Sequence, residues 1–262
     1  MYGFDGKVAL ITGGAAGLGF AIATRLAQEG AAVAIVDLDA DGLAKAAAQL
    51  KEQGGAVHTV VGDVSRAPDV DAAVASTEAS LGPISQLVNN AGICLFREYL
   101  KYTDDDFDRQ MDVNLKGTHL FMRRVVPGMV ERGGGAIVNI ASVAAFNFTV
   151  PHAAYAASKA AIVALTRDAA FELASKGVRL NCVAPGLIAV PPSSTKTPLV
   201  TQKTAAGPTD TRPLGFGRPS DIASAVAFLL SEEARFIVGT TINVAGGTDL
   251  RTTMALPGTP LG

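Results

Sequence analysis

Short apolar runs alternate with longer, helix-like stretches along this chain. The short runs are rich in β-branched residues and lack in–out alternation, which is typical of strands that are covered on both faces. The predicted strands are Val8–Thr12, Ala32–Asp37, Val57–Val61, Gln86–Asn89, Ala136–Ala141, Val178–Val183 and Thr241–Val244. The predicted helices are Leu18–Glu29, Ala40–Gln53, one from Ser65 or Asp69 to Gly82, Asp104–Glu131, Ala153–Ser175 and Ser220–Ser231.

This alternation of strands and helices predicts one α/β domain over residues 1–262. About seven strands would form a single doubly wound parallel sheet with helices on both faces and right-handed crossovers. Pro127 is expected to bend or shorten its helix. Residues 189–218, rich in Pro, Thr, Ser and Gly, are expected to form a substrate lid with a short helix or a disordered insert, and residues 251–262 form a C-terminal tail.

Composition narrows the function classes. The chain has a net charge of −2, two cysteines and 28 glycines. No apolar run reaches the about 20 residues of a membrane span, and two cysteines cannot build a disulfide framework or a four-cysteine zinc site. The slightly acidic balance disfavours nucleic-acid binding. We therefore expect a cytoplasmic protein without membrane, nucleic-acid or metal partners, whose many glycines meet local backbone requirements.

A glycine-rich turn, Thr12–Gly19, joins the first strand to the first helix. The free N–H groups and the dipole at a helix start favour an anion, and glycine lets a phosphate approach the backbone. A plain strand-to-helix turn is the alternative. Because the turn opens the first βαβ unit, we predict dinucleotide binding by Gly13, Ala16, Gly17, Leu18 and Gly19.

Asp37 ends the second predicted strand and indicates which dinucleotide binds. A carboxylate here can accept a hydrogen bond from the adenosine ribose and repels a 2′-phosphate. No Arg or Lys stands at Ala15, Ala16, Leu38 or Asp39 to receive that phosphate. The sequence therefore favours NAD over NADP, with Asp37 and Leu38 at the ribose. A solvated aspartate that caps the helix from Ala40 is the alternative.

Four polar residues are candidates for catalysis. Tyr155 and Lys159 share one helix face, where the amine is expected to favour the phenolate and to lower the tyrosine pKa. Ser142 follows a predicted strand at the edge where ligands bind parallel sheets. Asn114 is a poor helix former inside a helical stretch and is expected to leave the helical ladder for a local bond or water. Taken singly, each also fits a turn, core, surface or helix residue.

Together these residues resemble the short-chain dehydrogenase/reductase family. The resemblance covers about Lys7 to Thr248 and rests on these motifs: the turn Thr12–Gly19, Asp63, Asn89-Asn90-Ala91-Gly92, Asn114, Ser142, Tyr155-x-x-x-Lys159 and Pro185-Gly186. It implies a Rossmann-type fold and a catalytic tetrad of Asn114, Ser142, Tyr155 and Lys159. Many relatives have a threonine shortly after Pro-Gly, which this chain lacks, so Ser193, Ser194 or Thr195 is expected to replace it.

The resemblance also implies cofactor contacts and an assembly. Asp63 and Val64 would flank adenine, Asn90 would brace the central strand, and Ala91 and Gly92 would lie beside the cofactor together with Tyr155 and Lys159. Pro185, Gly186 and Ile188 would meet the nicotinamide, and Asn114 would hold a water. Similar family members form homotetramers through the alanine-rich helix at Ala153–Ser175, and we expect one here.

The predicted substrate pocket is mostly apolar. Its candidate residues are Cys94, Val143, Ala144, Phe148 and His152. The resemblance and this pocket predict an NAD-dependent dehydrogenase for a hydrophobic or cyclic secondary alcohol and its ketone, with Tyr155 as general acid/base. A 3-oxoacyl thioester reductase is one alternative, and a non-catalytic dinucleotide sensor or scaffold is another. Cys182 is expected to be inert core.

Overall fold

The computed structural model describes residues 2–147, 151–190 and 214–250. Within these ranges, seven parallel strands form one sheet in the order β3-β2-β1-β4-β5-β6-β7. The strands are β1 Val8–Thr12, β2 Ala32–Asp37, β3 Val57–Val61, β4 Gln86–Asn89, β5 Gly135–Ile140, β6 Val178–Pro185 and β7 Thr241–Val244. This arrangement confirms the predicted doubly wound sheet.

Seven α-helices connect these strands within the described residues. They are α1 Gly17–Gln28, α2 Ala40–Glu52, α3 Ala67–Leu81, α4 Asp104–Met111, α5 Gly117–Glu131, α6 Ala153–Ala174 and α7 Pro219–Leu230. Helices α1, α2 and α7 bury their apolar residues against one face of the sheet. Helices α3, α5 and α6 cover the other face. Burial on both faces explains why the strand sequences do not alternate.

The long helix predicted over Asp104–Glu131 is composite. Helices α4 and α5 are joined by a π-helical segment, Asp112–Lys116. Pro127 does not shorten the helix, because α5 continues past it to Glu131. The prediction of one uninterrupted helix was therefore wrong, whereas the expectation that Asn114 departs from the ordinary ladder is confirmed by its place in the π segment.

Most predicted boundaries agree with the structure to within one or two residues. The third helix, whose start was left open between Ser65 and Asp69, begins midway between them at Ala67. Gly177 ends the turn after α6 with a φ of +78°, and a Cβ there would lie 2.4 Å from the Gly133 carbonyl oxygen. Only glycine therefore allows β6 to begin so close to the preceding loop.

The base of the predicted lid is closed by backbone pairing. Ile188 forms a parallel bridge with Gly217, and the Ala189 N–H donates to the Gly217 carbonyl at 2.9 Å. The predicted lid spans 189–218, and its part between residues 190 and 214 lies outside the described residues. The same holds for the predicted pocket residue Phe148, the threonine replacements Ser193, Ser194 and Thr195, and the tail at 251–262. Across the part of the chain that the structure describes, no helix has the length and apolarity to cross a membrane.

Arg179, at the start of β6, binds the C-terminal end of helix α7. Its guanidinium donates to four carbonyl oxygens, those of Leu229, Leu230, Ser231 and Ala234, at 2.7–3.2 Å. Burial lowers the pKa of this guanidinium, and Glu232 opposes that shift. The last carbonyls of a helix have no partner inside the helix, so Arg179 supplies a donor to those of Leu229 and Leu230. The carbonyls of Ser231 and Ala234 also accept from backbone N–H groups.

Arg179→Met should therefore destabilise the protein. We expect a loss of about 2–4 kcal/mol in the free energy of unfolding, since four carbonyl oxygens lose a charged donor. Urea unfolding followed by circular dichroism measures this loss. Arg167→Met is the matched control, because Arg167 pairs with Asp168 on the surface and a pair of that kind contributes about 0–1 kcal/mol. Equal midpoints for the two variants would contradict the role given to Arg179.

Candidate active site

The turn between β1 and α1 leaves no room for side chains. Gly13 and Gly17 have φ of +66° and +58°, and a Cβ on Gly19 would lie 2.0 Å from the Gly13 carbonyl oxygen. Helix α1 starts after Ala16, which cannot cap it, and its first turn holds no acidic residue. The first N–H groups of α1 thus lack a side-chain cap, which fits a pyrophosphate at this helix start.

Asn90 braces this turn against β4. Its Nδ2 donates to the carbonyl oxygens of Thr12 and Gly13 at 2.9 and 3.1 Å. The Thr12 hydroxyl oxygen in turn accepts from the N–H groups of Asn90 and Ala91, each at 3.0 Å. The expectation that Asn90 stabilises the central strand is consistent with these bonds. Thr12 was predicted only as part of the turn, although its hydroxyl joins β1 to the loop after β4.

The Asp37 carboxylate lies directly beside the turn. It accepts from the Ala15 N–H at 3.1 Å and from the Asp39 N–H at 3.2 Å. Asp39, not Asp37, caps α2, since its side chain accepts from the Gly42 N–H at 3.0 Å. The alternative reading of Asp37 as a helix cap is therefore wrong. Leu38 is 64% exposed and offers no cation to a phosphate.

Asp63 and Val64 follow β3 at the same edge of the sheet. The Asp63 carboxylate accepts from the backbone N–H and the hydroxyl of Ser65 at 2.9 and 2.7 Å. Val64 is buried against α5, where a Cβ on Gly117 would approach a Val64 methyl to 3.0 Å. Both residues therefore lie at the carboxyl ends of the strands, and their contact with adenine stays a prediction.

Asn114 connects the loop after β4 to helix α6. Its Oδ1 accepts from the Ile93 N–H at 2.8 Å, and its Nδ2 donates to the Ile93 carbonyl at 3.0 Å and to the Ser158 hydroxyl at 2.9 Å. The Asn114 carbonyl accepts from the Thr118 hydroxyl at 2.8 Å. These bonds hold the loop that contains Gly92.

Lys159 lies beneath this loop and is almost fully buried. Its Nζ donates to the Ile140 carbonyl at 2.8 Å and lies 5.7 Å from the centre of the Tyr155 ring. A Cβ on Gly92 would lie 3.4 Å from this Nζ and 3.2 Å from Asn114 Oδ1. Lys159 and Asn114 thus flank Gly92, whose lack of a side chain keeps the space above them open.

Tyr155 stands one turn before Lys159 on α6. Burial raises the pKa of its phenol to about 12, a hydrogen bond with Ser142 lowers it in part, and nearby Cys94 raises it. Ser142 Oγ also accepts from the Ala144 N–H at 3.2 Å, which orients the hydroxyl. The structure thus places Ser142, Tyr155 and Lys159 together, with Asn114 one side chain away through Ser158.

The electrostatics differ from the prediction made for Tyr155. Burial lowers the pKa of Lys159 to about 8, and Cys182 and Cys94 oppose that shift. The Lys159 ammonium donates to the Ile140 carbonyl. Among the hydrogen bonds of the described residues, none joins this ammonium to the Tyr155 phenol oxygen. The expectation that Lys159 lowers the Tyr155 pKa is therefore wrong, because desolvation is the largest effect on both groups and raises the pKa of Tyr155.

The predicted pocket residues line the same region. Val143 and Ala144 are buried in a short turn after Ser142, and His152 is buried directly before α6. Burial raises the pKa of the Cys94 thiol to about 12, and Lys159 opposes that shift, so Cys94 stays a neutral wall residue. Burial likewise raises the pKa of Cys182 to about 11, which fits inert core.

The predicted nicotinamide residues follow β6. The Gly186 N–H donates to the Val244 carbonyl at 3.0 Å, and a Cβ on Gly186 would lie 2.7 Å from the Ala245 Cα. Pro185 is buried at the strand end, and Ile188 is held by its bridge to Gly217. Among the residues that the structure describes, no three His, Cys, Asp or Glu side chains converge as they would around a metal ion.

Two buried residues of the site were not predicted from the sequence. Ser158 is fully buried, accepts from Asn114 and donates to the Tyr155 carbonyl at 2.7 Å. Gln110 is fully buried as well, and its Oε1 accepts from the Leu95 N–H at 3.0 Å. Ser158 stands next to Lys159, so its place in the Tyr155-x-x-Ser158-Lys159 pattern was the available signal. Gln110 carried no such signal.

Comparison with known proteins gives consistent matches. A family model described as enoyl-(acyl carrier protein) reductase matches residues 13–249. The 2-(S)-hydroxypropyl-CoM dehydrogenase 3 of Xanthobacter autotrophicus is 43% identical over 249 residues, covering 92% of this chain and 96% of that protein. The residues that the family model matches include Gly13–Gly19 and the four candidate catalytic residues.

Two solved structures share the fold. Levodione reductase superposes with a TM-score of 0.89 at 36% identity, covering 95% of this chain and 100% of that one. A 7α-hydroxysteroid dehydrogenase in complex with NADH and 7-oxo glycochenodeoxycholic acid gives a TM-score of 0.85 at 32% identity, covering 94% of this chain and 95% of that one. Both are named as enzymes that act on ketones or alcohols.

Lys159→Met tests the burial of the ammonium. Because the pKa of Lys159 is about 8 in the folded chain, below its ordinary 10.5, the unfolded chain binds this proton more tightly. Wild-type stability should therefore rise relative to the variant as pH increases from 8 towards 10.5, and the difference should be constant below that window. Urea unfolding across this pH range measures it.

The control is Lys116→Met, which removes an exposed amine paired with Asp112. This variant measures what the removal of a surface amine alone does to the free energy of unfolding. A Lys159→Met variant whose difference from wild type is the same at every pH would contradict the lowered pKa.

Proposed function

Because the chain belongs to the short-chain dehydrogenase/reductase family, we propose that it transfers hydride between NAD(H) and a secondary alcohol or its ketone. One observation carries this proposal: the Tyr155 phenol is hydrogen bonded to Ser142 and lies beside Lys159, under the open backbone of Gly92. This is an arrangement for proton transfer at an oxygen atom that Ser142 can hold. A non-catalytic sensor would not require these groups together.

The glycine turn and its neighbours fit the dinucleotide. We assign the pyrophosphate to the uncapped start of α1, at Gly13, Ala16, Gly17, Leu18 and Gly19. Adenine is assigned to Asp63 and Val64, and the nicotinamide end to Asn90, Ala91, Gly92, Pro185, Gly186 and Ile188. Lys159 lies where it can donate to a ribose hydroxyl. When bound, the nicotinamide supplies or accepts the hydride.

The roles of the chain's own side chains follow from their protonation. With a pKa of about 12, Tyr155 is a neutral phenol at neutral pH and can donate its proton to a ketone oxygen. Ser142 donates to the same oxygen and keeps it within reach. In the reverse direction Tyr155 must lose its proton first, and a cation near the phenol oxygen favours this step. We assign Asn114 to a water that carries the proton to solvent.

NAD is proposed as the cofactor on the position of Asp37. Its carboxylate faces the turn through Ala15, where a 2′-phosphate would meet a negative charge with no compensating cation at Ala16 or Leu38. The similar 7α-hydroxysteroid dehydrogenase was solved with NADH. Because the similar actinorhodin polyketide ketoreductase was solved with NADPH, the preference for NAD(H) rests on Asp37.

The proposed substrate is a hydrophobic or cyclic secondary alcohol, or its ketone. Val143 and Ala144 supply a buried apolar wall next to Ser142, and Cys94 stays neutral. Around them, the described loops expose large apolar side chains, namely Phe96, Phe146, Leu187 and Leu214. The similarity to a hydroxysteroid dehydrogenase supports this class.

We also propose a homotetramer. Helix α6 exposes a stripe of small alanines, Ala153, Ala157, Ala160 and Ala164, and its Phe171 is 88% exposed. An apolar helix face of this kind is expected to pack against a partner. The single domain over residues 1–262 and the cytoplasmic location stay predictions from the sequence.

Tyr155→Phe tests the proposed chemistry. The variant keeps the ring but loses the proton donor, so turnover should fall by about 10²–10⁴-fold while NADH binding stays within about twofold of wild type. NADH absorbance during ketone reduction measures turnover, and NADH fluorescence titration measures binding. Tyr2→Phe, at the far N-terminal segment, is the control. Near-normal turnover of Tyr155→Phe would remove Tyr155 from its role.

Asp37→Ala tests the cofactor assignment. Loss of the carboxylate should reduce the preference for NADH over NADPH, as the ratio of the two kcat/KM values, by about tenfold or more, since it removes the repulsion of the 2′-phosphate and one ribose acceptor. Asp168→Ala changes the net charge equally on an exposed part of α6 and should leave the ratio unchanged. A wild-type enzyme that uses NADPH as well as NADH would overturn the assignment.

A further inference from the structure

A stack of three rings extends from the Tyr155 phenol to the loop after β4. The His152 ring is tilted by 32° against Tyr155, with ring centres 5.4 Å apart. The His152 ring is also stacked on the Phe96 ring, at an angle of 15° and with ring centres 6.0 Å apart. Contacts at these separations and angles are within the range of favourable aromatic pairs.

His152 is placed to act on Tyr155 rather than on solvent. It is 6% exposed, although histidine is often only partly buried, and it immediately precedes α6. Tyr155 is one turn further along the same helix. A flat, buried ring at this place limits the rotation of the Tyr155 side chain about its own bonds, and that rotation sets where the phenol oxygen lies.

The outer end of the stack is fixed by the backbone. The Arg97 N–H donates to the Pro151 carbonyl at 2.9 Å, which ties the residue after Phe96 to the residue before His152. On the other side of Phe96, Leu95 is held through its N–H by Gln110 and through its carbonyl by the Tyr102 hydroxyl, at 3.0 and 2.8 Å. These bonds fix the backbone on both sides of Phe96, and so the point from which its ring reaches His152.

We propose that His152 is a positioning residue, which holds the Tyr155 ring through ring packing and is itself held by Phe96. This inference rests on the proposed function, because a position matters only if Tyr155 transfers a proton. Proton transfer requires the phenol oxygen within hydrogen-bond reach of the substrate oxygen. A misplacement of about 1 Å at such a centre can cost about a hundredfold in rate.

A direct hydrogen bond from His152 to the substrate is the competing role for this side chain. The two roles demand different chemistry from the same position. Packing needs a flat ring, whereas hydrogen bonding needs a ring nitrogen. His152→Phe keeps the flat ring without the nitrogens, and His152→Leu keeps an apolar side chain of similar size without the flat ring.

The experiment compares these two variants with wild type in NADH-dependent reduction of a cyclic ketone. We expect His152→Leu to lower kcat by about tenfold to a hundredfold with NADH binding within about twofold of wild type. His152→Phe should restore kcat to within about threefold and leave the pH dependence of kcat unchanged. His58→Ala is the control. It removes an imidazole of the distant edge strand β3, which is hydrogen bonded to Ser76 of α3.

Phe96→Ala provides a second, independent readout. Because Phe96 acts through His152, this variant should lower kcat by a smaller factor than His152→Leu does. The kcat of the double variant should lie within about twofold of the kcat of His152→Leu. Multiplication of the two effects in the double variant would contradict a shared path to Tyr155. If one variant does not fold, the others still decide the question.

The outcomes separate this inference from the function on which it rests. A wild-type protein that reduces no ketone with NADH or NADPH would overturn the proposed function. An active wild type with His152→Leu unchanged in kcat would overturn only the positioning role. His152→Phe as slow as His152→Leu, with a raised KM for the ketone, would assign His152 to a substrate hydrogen bond instead.

Discussion

The close approach of backbone to backbone at the first turn determines the geometry of the whole site. No side chain fits at Gly19, whose Cβ would meet the Gly13 carbonyl at 2.0 Å, so α1 lies directly on the end of β1. Asn90 bonds to the carbonyls exposed by that turn and thereby sets the path of the chain after β4. The position of Gly92 follows, and with it the space above Lys159. A single steric constraint at the cofactor turn thus extends, through hydrogen bonds, to the proton-transfer groups.

The second half of this path consists of buried polar side chains. Asn114 joins the loop after β4 to Ser158 on α6, and Ser158 bonds to the backbone of Tyr155. Buried polar groups that are fully hydrogen bonded specify one arrangement, because any displacement leaves a partner unsatisfied. The π segment that carries Asn114 is part of this arrangement, since it interrupts the regular helix at the residue that binds Ile93 and Ser158. The site therefore depends on local irregularity as much as on the regular sheet.

The sequence was sufficient for the sheet and for the glycine-rich turn after β1, and insufficient for the interior of the site. Strand positions followed from apolar runs, and the turn from glycine spacing, because both reflect local backbone requirements. The π segment, the bonds of Asn114 to Ile93 and the contact of Gln110 with Leu95 join residues that are distant in sequence, which no periodicity records. The pKa shifts of Tyr155 and Lys159 could not be predicted for the same reason. Their four-residue spacing is visible in the sequence, whereas their burial depends on the packed fold.

Desolvation also explains why these two groups need the rest of the site. Burial moves the pKa of Tyr155 up to about 12 and that of Lys159 down to about 8, so both shifts oppose the charged pair that alcohol oxidation requires. A protein gains nothing in stability from burying an amine in this way, and the Ile140 carbonyl compensates only in part. The burial is instead consistent with a site whose charge is completed by a ligand, because a neutral phenol in an apolar setting responds strongly to a charge placed beside it. The rings of His152 and Phe96 belong to these surroundings, since they pack in sequence against Tyr155.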